Sequence, residues 1–243
     1  MVDIPHPTEP HAASHNSRLN SLRAAVLGTN DGIVSVAALL LGVVGSGASD
    51  QTILTAGLAA TVSGAVSMAL GEYVSVSAQR DSERALIAKE RWELAEFPEQ
   101  EHAELTEMLA GYGMSVETAS RAAYEIADND PLDAHLRLEL GIDGDDLTNP
   151  WHAAFWSAVS FLAGALLPML AILIAPSAAG GWAVALVTLL ALALTGYISA
   201  RLARTNSARA VIRLLIGGAA GLAVTYGIGT LFLSLIHISE PTR

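Results

Sequence analysis

Cysteine is missing altogether from this 243-residue chain. Disulfides and thiolate metal sites are therefore excluded, and any metal site must be built from carboxylate, imidazole, thioether or carbonyl groups. Basic residues are scarce, with 13 Lys and Arg against 24 Asp and Glu and a formal net charge of −11. Nucleic-acid binding draws its affinity from cationic surface, so that class is excluded as well. Walker loops, dinucleotide fingerprints and nucleophile elbows are absent from the sequence. The first 23 residues lack the apolar stretch of a cleaved signal peptide and carry Pro5, Pro7, Pro10, His6, His11 and His15. They are expected to form a mobile cytosolic tail with weak metal affinity at most.

What the chain has in quantity is apolar surface, 52% of its residues. Five segments are long and apolar enough to cross roughly 30 Å of hydrocarbon as helices. They run over about Ala24–Gly47, Ile53–Ala78, Trp151–Ala175, Gly181–Leu202 and Ala208–Leu233. The expected fold class is an all-α membrane protein of five transmembrane helices, with a helical insert at 79–150 between spans two and three. Residues 234–243 continue no helical pattern and are set aside as a read-through-like tail. Arg18 and Arg23, then Arg80, Arg84, Lys89 and Arg91, then Arg201, Arg204, Arg209 and Arg213 mark three loop regions of one side. Under the positive-inside rule they place the N terminus and residues 79–150 in the cytosol and the C terminus outside.

The insert is where the acid is. Residues 79–150 hold 18 of the 24 Asp and Glu but only 6 of the 13 Lys and Arg. Arg80–Leu94 is expected to continue span two as a helix, Pro98 to interrupt it, and Glu99–Ala110 to resume. Ser115 is read as the N-cap of Val116–Ala127, and Asp130-Pro131 as the start of Leu132–Leu140. Projected on one continuous helix, Glu90, Glu93, Glu101 and Glu104 share an arc of about 80°. Like charges so close repel unless cations neutralise them. His135 and Glu139, four residues apart, can face one ion, although a surface or capping role is the plainer expectation. Glu99-Gln100-Glu101-His102 holds a single Glu-x-x-His, where di-iron bundles use two, so an oxidase site is disfavoured.

Two more acids lie within the apolar segments. Asp31 is eight residues past Arg23, and Glu72 is eight short of Arg80, which places both about 12 Å from the same membrane edge. A charge at that depth costs about 3 kcal/mol and marks an interior pathway. Met68 lies one turn from Glu72. Two hard oxygens and a soft sulfur suit a borderline divalent ion such as Fe²⁺ better than Mg²⁺ or Ca²⁺.

These stretches carry a resemblance. Arg23-Ala-Ala-Val-Leu-Gly-Thr-Asn-Asp-Gly-Ile-Val-Ser35 and Ser67-Met-Ala-Leu-Gly-Glu-Tyr-Val-Ser-Val-Ser-Ala-Gln-Arg-Asp-Ser-Glu83, with Glu139-Leu-Gly-Ile, Asn149-Pro-Trp and Gly164-Ala-Leu-Leu-Pro168, resemble the vacuolar iron transporter family in its prokaryotic branch. The resemblance covers about residues 18–233. It implies a homodimer, a cytosolic metal-binding domain and proton-coupled export of Fe²⁺, with Mn²⁺ as an alternative ion. It also implies a transport pathway through Asp31, Met68 and Glu72, and metal ligands at Glu90, Glu93, Glu101, Glu104 and Glu139. Where the better-studied form of the family has methionines shortly before that last glutamate, this chain has His135 and Leu136, which opens Zn²⁺ and Co²⁺ as candidates. A prokaryotic plasma membrane is the expected location. The rival expectations are a membrane-anchored iron store or oxidase, and a metal sensor whose spans serve only as an anchor.

Overall fold

The computed structural model describes residues 12–144 and 147–239, and every regular element among them is helical. Eight α-helices follow one another: α1 (Ala12–Gly45), α2 (Asp50–Glu96), α3 (Pro98–Gly111), α4 (Val116–Ala127), α5 (Pro131–Leu138), α6 (Pro150–Ile174), α7 (Gly180–Leu202) and α8 (Ser207–Ser239). A single 3₁₀ turn, Ser177–Ala179, sits between α6 and α7. Five helices are long and apolar enough to cross a membrane: α1 from Ala25, α2, α6, α7 and α8 to Ser234. Two boundaries differ from expectation. Helix α1 starts at Ala12, because Pro10 is the last breaker before a run of Ala, Ser, Leu and Arg that a helix tolerates. Helix α8 runs on to Ser239, past Ser234, since Pro241 is the first residue able to stop it. Residues 1–11, with His6 and His11, and residues 240–243 lie outside the described residues, as do Asp145 and Asp146.

The chain divides into two compact units, one comprising the residues up to Tyr73 and from Trp151 onward, the other Val74–Pro150. In the first unit α1 is central, with Ile33, Val36, Ala37 and Leu40 all fully buried. It packs by backbone contact. A Cβ added at Gly32 of α1 would run into the Phe161 carbonyl of α6, and one at Gly164 of α6 would run into the Thr29 carbonyl of α1. Gly42 and Gly229 make the same close approach between α1 and α8. Small residues serve this role in lipid, where helix association depends on packing rather than on water exclusion. A polar tie crosses from α7 to α1, with the Thr195 hydroxyl donating to Asn30 Oδ1 at 2.7 Å. On α2, Leu58, Val62, Val66 and Leu70 recur every fourth residue and are all exposed. A stripe of that kind suits hydrocarbon rather than water. Tyr73 and Trp151 stack at 4.6 Å, closing α2 against the start of α6.

The second unit holds the acidic insert. Pro98 divides what would be one helix: α2 ends at Glu96, Phe97 departs from helical geometry (φ −130°, ψ 45°), and Pro98 opens α3. Proline fits the first turn, where no backbone donor is needed, but not a helix interior. The four-glutamate projection on one continuous helix is therefore corrected. Ser115 caps α4 as expected, accepting the Thr118 amide, and α3 and α4 close a small core of Leu105, Leu109, Ala119 and Ala123. Asp130 accepts the Asp133 amide at 3.0 Å, and Pro131 starts α5. Glu139 is the C-cap of α5, and Gly141 follows with φ +65°, a conformation that favours glycine.

Candidate metal centre

Three elements of the insert bring ionisable groups to one point. The last turns of α2 supply Glu90, the first turn of α3 supplies Glu101, and α5 with its cap supplies His135 and Glu139. His135 is the hub. Its Nδ1 lies 3.1 Å from Glu90 Oε1, 3.5 Å from Glu139 Oε2 and 3.7 Å from Glu101 Oε2. Glu90, Glu101 and His135 are buried, at 3%, 7% and 1% exposure, while Glu139 opens to solvent. One donor atom each from Glu90, His135 and Glu139 falls within 4.8 Å of the other two, close enough to share one ion. The break at Pro98 makes this possible, because it turns Glu101 back toward Glu90 instead of carrying it up a rod. The expected surface role of His135 is corrected, since its ring is nearly inaccessible.

The electrostatics suit a bound cation. Burial pushes the Glu90 carboxyl up to about 7, and the Glu139 charge adds to this. His135 opposes the shift, while Glu101 and Glu93 reinforce it. Glu101 is also raised, first by burial and then by Glu104. Yet Glu90 Oε1 is buried without a hydrogen bond, even 3.1 Å from an imidazole nitrogen, because the angle does not serve one. A buried acceptor left unpaired costs about 1–3 kcal/mol. Coordination to a divalent ion would satisfy that oxygen and offset the mutual repulsion of the acids.

Glu93 and Glu104 are not among the clustered ligand atoms. Glu93 is held by Lys89, whose Nζ sits 2.6 Å from Glu93 Oε2, and Glu104 is exposed on α3. Both act on the cluster as neighbouring charges. His102 lies elsewhere: its ring stacks on Tyr124 at 3.8 Å, and Nε2 is 3.3 Å from the Ser120 hydroxyl.

In the other unit, Asp31 and Met68 line one cavity of about 310 Å³. Ser35 of α1, Ser63 and Ser67 of α2 and Phe161 of α6 also face it. Glu72 is half-buried on α2 and is not part of that lining. The sequence reading missed the serines, although Asp31 and Ser35, and Ser63 and Ser67, are each spaced four apart. Phe161 could not have been found, because its place depends on Gly64 leaving room for its ring.

A sequence model of the VIT family matches residues 22–230. A vacuolar iron transporter of Acanthamoeba castellanii is 39% identical, covering 93% of this chain and 85% of the relative. Vacuolar iron transporter homolog 1 of Oryza sativa subsp. japonica is 37% identical over 93% of this chain and 80% of its own length. Vacuolar iron transporter 1 of Arabidopsis thaliana is 30% identical, with 89% and 88% covered.

Proposed function

Because this chain belongs to the VIT family, we propose that it exports Fe²⁺ from the cytosol across a membrane in exchange for protons. The observation that carries this reading is the meeting of Glu90, Glu101, His135 and Glu139 at one point of the acidic insert, the first three of them buried. The insert lies in the cytosol and captures the ion there. Its surplus acids, Glu93 and Glu104 included, concentrate cations by their summed field. Fe²⁺ then passes to Asp31, Met68 and Glu72, and protons from the far side displace it from the two carboxylates. The assembly is a homodimer in a prokaryotic plasma membrane, with the N terminus cytosolic and the C terminus outside. Mn²⁺ is a second substrate, and Zn²⁺ and Co²⁺ are further candidates for the same site.

Fe²⁺ flux into proteoliposomes under an imposed pH gradient tests this. Gradient-driven flux that Asp31→Ala abolishes, while metal binding to the insert persists, is the expected result. Absence of flux in the wild-type protein, with ion still bound at Glu90 and His135, would instead identify an iron store or sensor. Oxidation of Fe²⁺ by the protein would identify an oxidase.

A further inference from the structure

We propose that His135 is the specificity-determining ligand of the insert's cluster, ranking Co²⁺ and Zn²⁺ above Fe²⁺ and Fe²⁺ above Mn²⁺ and Mg²⁺. This rests on the capture reading above and names the class of ion that the capture site takes. The cluster offers oxygens from three carboxylates and one nitrogen, His135 Nδ1, which faces all three. Oxygen ligands alone suit Mg²⁺, Ca²⁺ and Mn²⁺, whereas imidazole favours the later ions of the first transition row. Sulfur does not contribute that preference. Met108 packs against the α3–α4 core, and Met114 is half-exposed in the turn after α3. Burial acts in the same direction. Mg²⁺ keeps several of its waters when bound, and Glu90, Glu101 and His135, at 1–7% exposure, leave little space for them except on the side of Glu139, which is exposed.

The ring is also fixed in place. His135 sits in mid-helix between the Asp130 cap and the Glu139 cap. Its Nδ1 is hydrogen-bonded to Glu139 Oε2 at 3.5 Å, while Glu90 Oε1, nearer at 3.1 Å, is left without a hydrogen bond. An ion shared by Glu90, His135 and Glu139, whose donor atoms lie within 4.8 Å of one another, would replace that one bond and satisfy Glu90 Oε1 as well.

Competition titrations with Co²⁺ and Mn²⁺ on the full-length protein in detergent, with His6, His11 and His15 changed to alanine, provide the test. His135→Gln is expected to lower Co²⁺ affinity by about 100-fold or more, on the scale of losing a ligand's support, while Mn²⁺ affinity falls by less than about fivefold. Glu139→Gln is expected to weaken both ions alike. Equal losses for the two ions in His135→Gln would overturn the selectivity role and leave the capture site standing. Binding in the wild type that Glu90→Gln does not change would overturn the capture reading itself. A second measurement does not depend on the variant folding. The protein loaded with one equivalent of Co²⁺ should show a paramagnetically shifted, solvent-exchangeable imidazole N–H resonance, and its absence overturns the proposal.

Discussion

Glu90 shows how much one carboxyl can decide. Its folded-state value of about 7, against an ordinary 4.5, means that the metal-free folded chain holds a proton there that the unfolded chain has released. Stability from this group is therefore complete below about pH 4.5 and is lost as pH rises through about 7. Thermal melts of the metal-free protein between pH 5 and 8 should show that decline, and Glu90→Gln should flatten it. Metal affinity runs the opposite way. Protons compete for the same oxygen, so Fe²⁺ should bind more tightly as pH rises through about 7, and isothermal titration at pH 6 and pH 8 would register the change. The sequence named Glu90, Glu101, His135 and Glu139 as candidates but could not rank them. Burial separates them from Glu93 and Glu104, and burial here depends on a fold that no spacing rule encodes.

At the scale of elements, the break between α2 and α3 does more than end a helix. Pro98→Ala would restore a donor and a free φ, allowing the two helices to run together and lifting Glu101 away from Glu90. Metal affinity should fall at least tenfold while far-UV circular dichroism shows helix content unchanged or raised; an unchanged affinity would mean that Pro98 only accommodates the bend. The break was legible from one proline, but its direction was not, since a kink angle is set by what packs on either side (Trp92 stacks edge-on against Phe97 at 5.3 Å). Ser115→Ala should cost about 1 kcal/mol through loss of the α4 cap, lowering the melting temperature without affecting flux. The α1–α6 seam is less forgiving. Gly32→Val would force a side chain into the Phe161 backbone, so the variant should fail to give a monodisperse peak on size-exclusion chromatography in detergent. The density of small residues hinted at such seams without saying which glycine meets which carbonyl.

For the molecule as a whole, five spans and an acidic insert were readable because a membrane imposes length and hydropathy on every helix that crosses it. The absence of cysteine makes the proposed topology directly measurable. Single cysteines at Ser49 and Ser115 should be modified by a membrane-impermeant maleimide from opposite sides, and labelling of both from one side would overturn the proposed orientation. The cavity at Asp31 was only partly legible, since its wall takes α1, α2 and α6 together. One feature of the insert reaches beyond its own site. Helix α5 is eight residues long, too short to persist in water unaided, and it carries the hub of the cluster. Under the proposed capture role, ion occupancy and the order of that segment would be two readings of one equilibrium. A hundredfold excess of ion over its dissociation constant would add about 2.7 kcal/mol to the folded side, so amide hydrogen exchange in α5 becomes an iron gauge written in the backbone.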